Sequence, residues 1–174
     1  MTRILSFNGE LSKIISGGQT GADRAGIDAA RECGLETGGW APANYRTQNG
    51  NDFSLRDLNL IEDSSAAYPP RTEKNVRDSD GTLLIGLNLQ SPGSVLTQRY
   101  IAKHRKPSFL VQLELDNVNH LDQIDAAIRW LKNSDIRVLN IAGNREKTFG
   151  GNSLVYRPTF EFVTRLIKQS RVNT

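Results

Sequence analysis

Apolar and polar positions along this chain alternate between short apolar runs and stretches of helical spacing. Lys13-Ile14-Ile15-Ser16 is β-branched and closed by two glycines, the pattern of a strand buried on both faces. Beyond it, Ala22, Ala25, Ala29 and Cys33 recur on one helical face, and Gly34 stands where a left-handed C-cap belongs. Residues 82–86, 109–113 and 136–143 read as further buried strands. Helical spacing returns at Val95, Leu96, Tyr100 and Ile101, again at Leu121, Ile124, Ile128 and Leu131, and in a final helix over residues 158–168.

Between these segments the pattern is less regular. Residues 35–39 predict a short strand, and 39–50 a long loop in which Trp40, Tyr45 and Arg46 are candidates to line a site. Trp40 either covers a bound ring or packs over the sheet edge. Residues 52–70 predict at most a short helix stopped at Tyr68-Pro69-Pro70, and the polar stretch 71–81 predicts one or two helical turns. Strand and helix in alternation define an α/β class: a Rossmann-like, doubly wound, mainly parallel sheet of about five strands with helices on both faces. Ligands bind such sheets beyond the carboxyl ends of the strands, where the strand order reverses.

Length and composition narrow the functional classes. A chain of 174 residues fits a single Rossmann-like domain, 1–174, with 1–11 an N-terminal arm that lacks the apolar core of a signal peptide. No run of roughly 18 apolar residues is present, so no membrane partner is expected. The 22 basic and 19 acidic residues leave a net charge of +3 with the signs interspersed, and no nucleic-acid partner is expected. A single cysteine, Cys33, points to the reducing cytoplasm and reads as an inert core thiol. His104 and His120 stand apart from each other and from Cys33, and no metal ligand is assigned.

Three polar clusters fall where strands end. The first, Gly17-Gly18-Gln19-Thr20-Gly21, opens a helix but has neither Walker A nor standard dinucleotide spacing. Its backbone amides and the Thr20 hydroxyl are candidates to hold an anion at a helix N-terminus. Asp23 is either the N-cap or an acid–base group, and Arg24 either clamps phosphate or pairs with Glu73 or another acid. The second cluster is Ser94 in the turn Ser91-Pro92-Gly93-Ser94, a further anion-competent helix start. The third is Asn140, Arg145 and Glu146. Before the 82–86 strand, Arg71, Glu73, Asn75, Asp78 and Asp80 either position a ribose, pterin or amide group or form a solvated helix face. If a reaction is catalysed, Asp23, Glu73, Asp78 and Glu146 are the acid–base candidates, although no recognisable spacing pairs them.

The blocks Ser16-Gly17-Gly18-Gln19-Thr20-Gly21-Ala22-Asp23-Arg24-Ala25-Gly26, Gly38-Gly39-Trp40-Ala41-Pro42, Tyr68 with residues 71–82, and Leu139-Asn140-Ile141-Ala142-Gly143-Asn144-Arg145-Glu146 resemble the family named "putative molybdenum carrier". That family is related to the Rossmann-like superfamily of lysine-decarboxylase-like nucleotide phosphoribohydrolases. The resemblance implies homo-oligomerisation and a phosphate-containing small molecule as partner, either molybdenum cofactor or a nucleotide derivative. The phosphoribohydrolase pattern Pro-Gly-Gly-x-Gly-Thr-x-x-Glu is replaced here by Pro92-Gly93-Ser94-Val95-Leu96-Thr97-Gln98, and Gln98 is no acid or base near neutral pH. The sequence therefore favours a binding or carrier protein, with a nucleotide or nucleoside-derivative hydrolase as the alternative.

Overall fold

Among the described residues six short strands form the main sheet, the central ones built on buried β-branched and leucine runs. They are β1 (Lys13–Ile15), β2 (Glu36–Ala41), β3 (Leu60–Glu62), β4 (Gly81–Gly86), β5 (Ser108–Gln112) and β6 (Val138–Gly143). All pair in parallel, in the order β3-β2-β1-β6-β4-β5. The computed structural model describes residues 10–115 and 119–172; most of the N-terminal arm expected over residues 1–11 lies outside the described residues.

Among the described residues five α-helices flank the sheet: α1 (Ala22–Glu32), α2 (Tyr68–Asp78), α3 (Pro92–His104), α4 (Ile124–Asn133) and α5 (Tyr156–Val172). Helices α1, α4 and α5 pack together, as do α2 and α3, so both faces of the sheet are covered. Every residue of β4 is buried, as a central parallel strand requires. Small residues on α1 let it approach the sheet closely; a Cβ at Gly26 would overlap the Ile141 side chain of β6. Phe162, Val163, Leu166 and Ile167 of α5 are fully buried in the same core, each worth about 1.5–3 kcal/mol of hydrophobic stabilisation.

The strand order has a topological consequence. The last strand, β6, sits in the middle, between β1 and β4. Read from β6, the sheet would run outward through β1, β2 and β3 and resume on the other side with β4 and β5, the course of a doubly wound domain. Helix α5, which follows β6, lies along α1 as a β6-to-β1 connection would. The chain has the architecture of a doubly wound sheet whose termini have been moved.

Three local expectations change. Residues 52–70 hold a short 3₁₀ turn, Phe53–Leu58, and the edge strand β3, which adds a sixth strand to the expected five. Tyr68-Pro69-Pro70 opens α2 instead of stopping a helix, because first-turn amides have no intrahelical acceptor and proline loses nothing there. The polar stretch after it therefore forms most of an 11-residue helix. Strand β2 runs on through Trp40 to Ala41, so the long loop is shorter than expected and is pinned by a small hairpin pairing Arg46–Thr47 with Gly50–Asn51.

Candidate functional site

The carboxyl ends of β1, β6 and β4 lie side by side, and each is followed by a turn into one of the three polar clusters. Ile15 pairs with Asn140 of β6, which in turn pairs with Thr82 of β4. The Asn140 Nδ2 donates to Thr82 Oγ1 at 3.1 Å, tying the two central strands through buried side chains. Above this edge opens a cleft of about 640 Å³, bordered by the starts of α2 and α3 and by residues 140–147. The adjacency of β1, β6 and β4 brings together segments more than 120 residues apart in sequence.

Of the expected binding residues, Gly17, Gln19, Arg71, Asn75, Asn140 and Arg145 border the cleft; of the expected acid–base residues, Asp23 and Glu146 do. Arg71 crosses from α2 to Asp23 of α1, with Nη1 donating to Oδ2 at 3.1 Å. A Cβ at Gly17 would collide with the Arg71 guanidinium, so the glycine leaves the space this arginine occupies. Burial raises the Asp23 carboxyl above its ordinary value, with Arg71, the Gln19 amide and Arg145 acting in the opposite direction without cancelling the shift. Arg145, whose side chain forms no ion pair among the described residues, lies over the Tyr68 ring at 4.5 Å. Arg46 and Arg71 approach the same ring at 5.3 and 5.7 Å. Three guanidinium groups around one aromatic ring make this end of the cleft electropositive.

The glycine loop contributes less than its sequence suggests. The Gly18 amide donates to Ser16 Oγ at 3.2 Å, that of Gln19 to Asp23 Oδ2 at 3.3 Å, and that of Ala22 to the Asn144 carbonyl at 3.0 Å. Those donors are spent inside the protein. Gly21, at φ 84°, is the N-cap position and packs against the backbone of residues 144–146, so Asp23 is not the cap. Thr20 Oγ1 accepts from the Glu146 amide at 3.4 Å. Gly18, Thr20 and Gly21 do not border the cleft.

Other candidates are placed elsewhere. Arg24 pairs with Asp28 at 3.0 Å and Asp52 at 2.9 Å, which replaces its reading as a phosphate clamp. Glu73 faces α3, where Lys103 at 2.6 Å and His104 at 2.9 Å hold its carboxyl below the usual range. Trp40 Nε1 donates to Asp78 Oδ2 at 2.8 Å and Lys74 covers the ring at 4.3 Å, so the indole packs on α2 and does not border the cleft. Arg77 and this indole contact hold the Asp78 carboxyl low. Asn75 borders the cleft but spends both ends of its amide on the Trp40 backbone. Ser94 is buried within the first turn of α3, where Asn144 Nδ2 donates to its Oγ at 3.2 Å; Ser91, Pro92 and Gly93 border the cleft in its place.

Glu146 is a structural acceptor. Its carboxylate receives the amides of Lys147, Leu154, Val155 and Tyr156 and the Ser153 hydroxyl, capping α5. Burial alone would raise this carboxyl, but the Ser153 hydroxyl and the amides outweigh it and the value falls.

Two cleft residues outside the candidate set matter. Tyr68 carries the arginine cluster, and Asn144 joins three elements: its carbonyl accepts from Ala22, its Oδ1 from the Asn88 amide at 2.7 Å, and its Nδ2 donates to Ser91 Oγ at 3.1 Å. Both fall inside the sequence blocks quoted above, which was the only signal available. Among the described residues no group of three or more His, Cys, Asp or Glu is placed to hold a metal ion, and no helix is long and apolar enough to cross a membrane.

Fold and cleft together define an α/β chain with a permuted doubly wound parallel sheet and an arginine-bordered cleft at the switch in strand order. The chain belongs to the circularly permutated YpsA SLOG family, whose model it matches over residues 14–167. A solved structure described as a putative molybdenum carrier protein from Syntrophus aciditrophicus SB is 35% identical, with a TM-score of 0.79, over 91% of this chain and 96% of that one. The expected membership of the putative molybdenum carrier family is therefore supported. An imine reductase from Myxococcus stipitatus in complex with NADP+ aligns at 18% identity and a TM-score of 0.38, over 74% of this chain and 39% of that one, and bears on neither fold nor function. No curated protein matches significantly.

Proposed function

We infer that this chain is a binding or carrier protein for a phosphate-containing small molecule held in the cleft. The observation that carries this reading is Arg145, which borders the cleft on the face of Tyr68 and forms no ion pair among the described residues. Beside it, Arg71 Nε is buried without a hydrogen-bond partner. Guanidinium groups with unused donors suit phosphate oxygens. The first turn of α3 adds a helix dipole at the far side of the cleft.

Molybdenum cofactor or a nucleotide derivative is the ligand this reading favours, in line with the carrier name of the similar protein. As cargo, molybdenum would be held by the dithiolene of its pterin, and the chain would grip the phosphate. A cytoplasmic homo-oligomer remains part of the same proposal.

Isothermal titration with molybdenum cofactor, ADP-ribose and nucleoside monophosphates tests it. Binding should weaken by about 10- to 100-fold in Arg145→Ala, the loss of a charge-assisted contact. Absence of binding throughout, or unchanged affinity in the variant, would sink the reading.

The hydrolase reading rests on Asp23, a cleft carboxyl whose proton affinity burial raises on balance, where that of Glu146 is lowered. Incubation with a nucleotide panel, following released base or sugar, separates it from the carrier reading: turnover abolished in Asp23→Asn would favour the enzyme.

A further inference from the structure

Two buried polar atoms on residues bordering the cleft are left without partners, one an acceptor and one a donor. Gln19 is only 3% exposed, and its Nε2 donates to the Arg46 carbonyl at 2.8 Å. A carbonyl can only accept, so this contact settles which end of the amide is nitrogen. Oε1 is the end left over, buried and without a hydrogen-bond partner, on a residue that borders the cleft. Arg71 is in the mirror situation: Nη1 is taken by Asp23, while Nε is buried and unpartnered. Buried polar groups are nearly always paired in folded proteins, and an orphan at the wall of a cleft is the natural counterpart of a ligand atom.

We propose that Gln19 is a specificity residue of the cleft, its Oε1 accepting a hydrogen bond from an N–H or O–H of the bound molecule. The proposal rests on the phosphate-binding reading and deepens it. A phosphate dianion has only acceptors to offer, so Gln19 Oε1 turns it away, and the phosphate goes to Arg145. The Gln19 end of the cleft takes a neutral head that presents a donor to Gln19 Oε1. The lactam edge of an oxo-purine or pterin, a ring N–H next to a carbonyl, has this chemistry, and so do neighbouring sugar hydroxyls. A molecule without the donor leaves Oε1 buried and unpaired, and should bind about 10-fold or more weakly.

The test is calorimetric titration of wild type, Gln19→Met and Arg145→Ala with four probes. Inosine 5′-monophosphate carries lactam, sugar and phosphate; purine riboside 5′-monophosphate lacks the lactam; 2′-deoxyinosine 5′-monophosphate lacks one hydroxyl; ribose 5-phosphate reports the phosphate site alone. Wild type should prefer the inosine nucleotide by about 10-fold over one of its two analogues, and which analogue suffers assigns the lactam or the sugar. Gln19→Met should shrink that ratio to about twofold or less while ribose 5-phosphate affinity changes by less than about threefold. Wild type without preference, a variant that keeps the wild-type ratio, or a variant that also loses ribose 5-phosphate overturns the assignment of Gln19. In those cases Arg145→Ala still weakening every probe leaves the phosphate reading standing. Failure of wild type to bind any probe overturns both.

Discussion

Arg71 of α2 and Asp23 of α1 meet at 3.1 Å across the cleft floor, 48 residues apart in sequence and both largely buried. Burial nevertheless dominates, and the folded Asp23 carboxyl binds its proton more tightly than an unfolded chain would. Its stabilising contribution is full below its ordinary value of 3.8 and is lost as pH rises through the higher folded value. Urea midpoints of wild type and Asp23→Asn should therefore converge or cross as pH is raised from the ordinary Asp range toward neutrality. A stability difference that grows in favour of wild type over that range would mean that Arg71 outweighs burial.

Gly17 borders the cleft and Gly21 does not, so substitutions at the two should differ in their effect on binding. In Gly17→Ala the new methyl meets the Arg71 guanidinium and Asp23 Oδ2, so affinity for phosphate probes should drop about 10-fold or more, with a stability cost from the disturbed Arg71–Asp23 pair. In Gly21→Ala the methyl meets the backbone of residues 144–146 at a positive φ of 84°, and about 2 kcal/mol or more of stability should be lost. Thermal melts paired with titrations of each variant check both halves. Equal behaviour of the two variants would contradict the assignment.

Tyr68 acts as a platform beneath Arg145, Arg46 and Arg71. Tyr68→Phe keeps the ring face and should bind phosphate probes within about twofold of wild type, whereas Tyr68→Leu should lose about 3- to 10-fold through cation–π contacts of roughly 0.5–1 kcal/mol each. Titration of both variants decides whether the ring or the hydroxyl matters.

Glu146 should prove structural. Glu146→Ala strands the donors that converge on its carboxylate and should cost about 1–3 kcal/mol in chemical denaturation. Because its folded carboxyl is held below its ordinary value of 4.5, the stabilisation is present above that value and is lost as pH falls through the folded one. Wild type and Glu146→Ala should accordingly converge in stability in acid; a gap that persists undiminished there would rule out the carboxylate as the source.

Much of the scaffold was legible because its signals are local. Ile14, Leu83 to Ile85 and Ile141 lie in apolar runs, and the small residues of α1 recur at helical spacing, so burial and period could be read from neighbours in sequence. Strand β3 was not legible, since a three-residue edge strand with two exposed positions carries almost no pattern. The prolines of α2 were misread because the same residue ends one helix and begins another.

The sequence by itself determined the α/β class, the parallel sheet and the segments from which a site could be built. Tertiary structure decided which of their polar groups are paired within the protein. The amides of Gly18, Gln19 and Ala22 are consumed by Ser16, Asp23 and Asn144, and the Glu146 carboxylate by the start of α5. Arg145 forms no ion pair among the described residues, and one polar atom each of Gln19 and Arg71, residues that border the cleft, is buried without a partner. Hydrogen-bond capacity is finite, and its distribution depends on partners that strand order brings together: β6 inserted between β1 and β4 placed residues 140–146 against the glycine loop.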